Sequence, residues 1–154
     1  MQQPNWETST IIVHLACAYW PRLRAGCWAA VLVCGARHKE LVGGDTGPSQ
    51  HATTLRGLCR ALDALRRPQS AVLVVTTNQY VVHGLEARFG SPGGGLTTTG
   101  NLIKNAELWR DVSLRAARFD LSAQWQPAAS AAPELRRAMY LAKAADPAAF
   151  ANSV

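Results

Sequence analysis

TIIVHLACAYWPRLRAGCWAAVLVCGARHKELVGGD, residues Thr10 to Asp45, is the stretch on which the fold turns. Two runs within it, Thr10–Cys17 and Gly26–Cys34, are dense in β-branched and apolar residues, and a shorter run, Lys39–Val42, precedes the turn signal Gly43-Gly44-Asp45. Side chains branched at Cβ fit a pleated, half-buried surface better than a helix, so three successive strands are predicted. Short connections make them an antiparallel meander.

Outward from the meander the periodicity changes. Gln50–Arg67 carries Leu55, Leu58, Cys59, Leu62 and Leu65 at three- and four-residue steps, which predicts an amphipathic helix ended by Pro68. Val72–Val75 is a continuous apolar run of the kind found in a buried central strand, and Asn78 can cap a helix running through Val82 and Leu85. Gly90-Ser91-Pro92-Gly93-Gly94-Gly95 and the following Thr97-Thr98-Thr99-Gly100 predict an irregular loop. Beyond it Asn105 can cap a helix bearing Leu108, Val112 and Leu114, Leu121–Gln126 reads as a last strand, and Ala132–Ala145 as an alanine-rich closing helix. The result is an α/β domain: a mixed five-stranded sheet, three antiparallel strands then parallel crossovers, with helices on both faces. It is expected to occupy residues 10–146, with an extension at 1–9 and a tail at 147–154.

Composition narrows the class. A chain of 154 residues with 48% hydrophobic and 17% charged residues can bury one core and lies outside the range of disordered chains. Its apolar runs are strand-length, so no membrane span is expected. The N-terminus lacks the pattern of a secretory signal, and an intracellular protein, of cytoplasm or nucleus, is the expectation. Cys17, Cys27, Cys34 and Cys59 form no C-x-x-C pair and have no His at zinc-finger spacing, which favours buried free thiols over disulfides or zinc. Sixteen Lys and Arg against ten Asp and Glu leave a charge of +6, suited to a polyanionic or acidic partner, though many small domains are mildly basic.

The order of elements and five local strings resemble type 1 ribonuclease H over about Thr10–Ala145, with a similarity to fungal versions of that family. The strings are Pro21–Trp28 (PRLRAGCW), Ala52–Leu65 (ATTLRGLCRALDAL), Val74–Gly84 (VVTTNQYVVHG), Lys104–Trp109 (KNAELW) and Leu141–Ala145 (LAKAA). The resemblance implies a ribonuclease-H-like fold and a two-metal site of four carboxylates. Laid over this sequence, those four positions fall on Ala16, Thr54, Thr77 and Met139, and the His of the family's flexible loop falls near Ala129. Other acids are expected to lie elsewhere: Asp63, nine residues after Thr54, falls about 180° round its helix. Neither metal nor cofactor is therefore expected, and the chain is expected not to be an enzyme but a pseudo-nuclease acting as a binding module.

Several residues remain for binding. Arg56, Arg60 and Arg67 follow four- and seven-residue steps and are expected to form one helical stripe, able to grip phosphates or acidic side chains or else merely solvated. By the resemblance, Gln50 and His51 fall where the family has a pair of amides touching the minor groove of the hybrid, and Gln79 and Tyr80 are retained. Trp28, Trp109 and Trp125 are expected in the core, with Trp6 and Trp20 as interface anchors. The expected partners are RNA, DNA or a hybrid duplex, held weakly, or a protein partner or second copy of the chain. The alternative role is structural, for instance a host-derived fold serving in a viral particle or larger complex.

Overall fold

A computed structural model of the chain describes residues 10–47, 49–89, 97–98, 101–102 and 105–151. Three long strands come first, β1 (Ile11–Trp20), β2 (Ala25–Cys34) and β3 (Arg37–Thr46), then α1 (Gln50–Asp63), β4 (Ala71–Thr76) and α2 (Gln79–Glu86). A two-residue pair, β5 (Thr97–Thr98) and β6 (Asn101–Leu102), leads to α3 (Ala106–Ala116), β7 (Asp120–Trp125), α4 (Pro133–Ala144) and a short α5 (Pro147–Ala151). The main sheet has the order β3-β2-β1-β4-β7. β1 pairs antiparallel with β2 and β2 with β3, whereas β4 runs parallel to β1 and β7 parallel to β4. This is the mixed five-stranded sheet expected from the periodicity.

The two-residue alternation of β1 divides the core. Val13 and Leu15 face α1 and α3 and pack with Leu55, Leu58, Leu62, Val74 and Trp109. On the opposite face Ala16, Ala29, Val31 and Val75 meet Leu135, Ala138 and Ala142 of α4. The small residues let α4 lie close to the sheet, and Arg137 fastens it to β3 through two bonds to the Glu40 carboxylate, at 2.8 and 3.1 Å.

Several boundaries depart from the sequence expectation. β3 continues through Gly43 and Gly44 instead of turning there, and Gly43 makes room for an indole: it is paired with Trp28, and a Cβ at 43 would sit 2.5 Å from Trp28 Cζ2. α1 stops at Asp63, four residues short of Arg67; Pro68 disfavours helical backbone only at Arg67, and the last turn is closed by bonds from the Ala64 and Leu65 N–H to the Ala61 and Leu62 carbonyls. Asn78 caps α2 as expected, accepting from the Val81 N–H. Asn105 does not cap α3; its backbone is left-handed, and its amide instead donates to the Tyr80 hydroxyl at 3.2 Å. Ser49, for which no cap was expected, accepts from the Ala52 N–H at the start of α1.

His14, only 5% exposed on β1, has an Nδ1 with no hydrogen-bond partner among the described residues. Burial pushes its pKa below the usual imidazole value, against a smaller upward pull from Glu134 of α4. The unfolded chain thus binds this proton more readily than the folded one. Stability is expected to be fully present above pH 6.5 and to fall as the pH drops below it. Urea denaturation across that window should show the loss, and His14→Leu should flatten the curve; an unchanged slope in the variant would place the acid sensitivity elsewhere.

Candidate functional site

The parallel pairing of β1 with β4 ends at Leu15 and Thr76, so Ala16 and Thr77 follow it side by side, and α1 and α4 bring Thr54 and Met139 to the same region. Ala16 is buried there, Met139 of α4 packs half-buried against its cluster, and the Thr77 carbonyl accepts from Trp125 Nε1 at 3.1 Å. Thr54, 1% exposed on the first turns of α1, gives its hydroxyl proton to the Gln50 carbonyl at 2.8 Å. The Cys17 thiol lies 3.8 Å from the same carbonyl, and burial pushes its pKa up to about 12 despite a hydrogen bond with Thr54. Mg²⁺ is held by hard oxygen ligands, carboxylates first among them. A methyl, two hydroxyls, a thioether and a neutral thiol do not fit such an ion. Among the described residues no group of three or more His, Cys, Asp and Glu is placed to hold a metal.

Beside this region lies a polar edge built from three elements. Gln50 and His51 open α1, Asn78 and Gln79 open α2, and Gln50, His51 and Gln79 are all exposed. The His51 ring stacks on Tyr80 with centroids 4.3 Å apart and planes at 24°. Tyr80 is held in turn: its hydroxyl accepts from Trp109 Nε1 at 2.9 Å and from the Asn105 amide. Asn78 Oδ1 accepts a backbone N–H, so its NH₂ is the end that faces His51 Nδ1, at 3.1 Å. An amide NH₂ can only donate, which makes Nδ1 the acceptor and leaves the ring proton on Nε2. The edge therefore presents two primary amides and one oriented imidazole N–H donor.

Arg56 and Arg60, one turn apart on α1, line one cleft, but Arg67 does not continue their stripe. Arg56 donates to the Asp45 carboxylate and to the Thr46 carbonyl, both at 2.9 Å, tying α1 to the end of β3. Arg60 is exposed and lines a cleft with Trp28, Asp45 and Arg115. Arg67 lies beyond the helix end, at the far pole of α1 from Gln50. Asp63 is bonded to Arg115 Nε at 2.9 Å, across to α3. Trp28 and Trp109 are buried, but Trp125 is 42% exposed, because it ends the edge strand β7. Trp20 is half-buried, and Trp6 lies outside the described residues. Among the described residues no two cysteines form a disulfide; Cys27 and Cys59 are buried and Cys17 and Cys34 half-buried.

Among the described residues no helix is long and apolar enough to cross a membrane. No protein-family model matches the chain. A Ribonuclease H of Herminiimonas arsenicoxydans is 36% identical over 107 residues, covering 65% of this chain and 69% of that protein. One from Cupriavidus necator is 35% identical over 121 residues, 76% of this chain and 81% of that protein. A third, from Thiobacillus denitrificans, is 33% identical over 122 residues, with shares of 77% and 80%. In three dimensions the chain is similar to LC9-RNase H1, a type 1 RNase H with the type 2 active-site motif, with a TM-score of 0.71 over 97% of this chain and 76% of that one. At 15% identity this likeness shows the fold. The relatives carry the name of an enzyme, and that overturns the expectation that this chain is not one. Side-chain types at four positions describe which ligands are present; they do not measure turnover.

Proposed function

The chain belongs to the ribonuclease H family, and from that premise we propose that it engages an RNA:DNA hybrid along the edge formed by Gln50, His51 and Gln79. The name of the relatives supplies the substrate class, RNA within a hybrid. The observation that carries the reading is the fixed donor set: His51 is stacked on Tyr80 and clamped by Asn78, so its Nε2–H is oriented before any ligand arrives. The minor groove of such a duplex offers base-edge acceptors and 2′-hydroxyls, which amide and imidazole donors match. Pre-orientation also lowers the entropy lost on binding. The net charge of +6 favours a polyanion at long range.

Fluorescence anisotropy with a labelled hybrid at about 50 mM salt tests this, since the phosphate contribution is strong there. His51→Ala and Gln79→Ala are each expected to weaken binding about two- to tenfold, the worth of one hydrogen bond. Unchanged affinity in the double variant, or no binding by the unaltered chain, overturns the reading. Because the edge uses N–H donors, binding is also expected to survive EDTA within about twofold; a strict requirement for Mg²⁺ would contradict that assignment. Gel analysis of the same hybrid with Mg²⁺ or Mn²⁺ reads strand hydrolysis separately from affinity.

A further inference from the structure

The face of α4 that points away from the sheet carries cations around one aromatic ring. Arg136, Tyr140 and Lys143 fall within about 60° of arc at 100° per residue, and all three are exposed, Tyr140 by 62%. Arg137 flanks them: it is bonded to Glu40, and its guanidinium carbon lies 5.6 Å from the Tyr140 ring centroid. Glu134, the single acid of α4, stands about 120° round the helix from Tyr140, where it acts on His14. Asp146, just past the helix, accepts from the Ala148 N–H. Neither Arg136 nor Lys143 forms an ion pair among the described residues. The helix dipole accounts for a cation at Lys143, in the last turn, but gives no such reason for Arg136, the fourth residue of the helix.

We propose that this crest is a docking surface for an unpaired strand of nucleic acid, with phosphates on Arg136 and Lys143 and a base stacked on Tyr140. Charge complementarity selects a polyanion, because the crest offers cations and no carboxylate. The two cations stand about 10 Å apart along the axis at 1.5 Å per residue, with the ring between them. A strand laid along the helix therefore meets both while one base covers the tyrosine. Stacking needs a free base face, which an unpaired strand offers and a duplex keeps in its interior. An acidic peptide would satisfy the cations but leave the exposed ring without a planar partner. Since α4 and α1 pack on opposite faces of the sheet, the crest is a second surface and not an extension of the edge at His51.

The test is a titration of the full chain with a fluorescein-labelled oligouridylate of about ten nucleotides, read by anisotropy. Binding is expected at about 50 mM salt, with the logarithm of affinity falling by about 1.4 per tenfold rise in salt, the value for two phosphates of a single strand. Tyr140→Ala is expected to weaken it about tenfold, and Tyr140→Phe to stay within about twofold, since the ring and not the hydroxyl makes the contact. Arg136→Ala and Lys143→Ala should each lower the salt slope by about 0.7. All four variants change exposed side chains and should leave the melting temperature and the hybrid affinity unaltered. Absence of binding overturns the proposal, as does full affinity in Tyr140→Ala, which would reduce the crest to a nonspecific cationic patch. Loss of oligouridylate binding in His51→Ala would place the strand on the hybrid edge, and tighter binding of a polyaspartate peptide would assign the crest to a protein; either outcome also overturns the proposal. Because the crest and the edge are probed by separate variants, failure here is distinguishable from failure of the hybrid-binding reading.

Discussion

Alanine in place of Trp109 is expected to cost about 3–5 kcal/mol of folding stability, the range found when a large buried aromatic is truncated. The indole is fully buried on α3 at the junction with α2 and the sheet. Its ring lies against the Gly84 backbone so closely that a Cβ there would approach it to 2.2 Å, and it meets Phe89 edge-on at 5.4 Å. Truncation removes these contacts and leaves the Tyr80 hydroxyl without its 2.9 Å donor. For a chain of this length the loss corresponds to a fall in melting temperature of roughly 2–4 °C per kcal/mol. Trp109→Phe separates the two roles. It keeps much of the volume and should remain folded, but it removes one of the two donors that hold the Tyr80 hydroxyl beneath His51 and should lower hybrid affinity several-fold. A loss below about 1 kcal/mol for the alanine variant, in denaturant titration, would contradict this account of the core.

Gly57→Ala is expected to destabilise by about 1–3 kcal/mol, the cost of overpacking, although the same change in an exposed helix interior stabilises by roughly 0.5–1 kcal/mol. The reversal comes from Trp28. A Cβ at position 57 would stand 2.7 Å from both Cβ and Cγ of that residue. The Trp28 Cβ is bonded directly to the β2 backbone and is not moved by any side-chain rotation, so α1 would have to lift from the sheet. Gly47 provides the control: its nearest neighbour would be the tip of Arg56, 3.1 Å away at the end of a flexible chain, and Gly47→Ala should be close to neutral. Stabilisation by Gly57→Ala would show that α1 does not rest on Trp28 as described.

Both predictions concern contacts that no local pattern announces. Gly43 and Gly44 read locally as a turn, yet both lie within β3, and at Gly43 Trp28 of the neighbouring strand requires the space. Asn105 reads as a helix cap and serves as a donor to Tyr80, a partner 25 residues earlier. Arg56, Arg60 and Arg67 share a helical spacing, but only the first two line one cleft, where Arg56 is tied to Asp45, and Arg67 lies past the helix end. The clamp on His51 combines α1, the β4–α2 junction and α3, which are remote in sequence.

By itself the sequence determined the class, number and order of the principal elements and the mixed character of the sheet, because periods of two and of three to four residues report which face of a segment is buried. It also determined the side chains standing at Ala16, Thr54, Thr77 and Met139. Only the tertiary structure decided where β3 and α1 end, which polar groups orient His51, and that Arg67 parts from Arg56 and Arg60. Those outcomes depend on contacts between segments distant along the chain, and periodicity carries no record of which surfaces will meet.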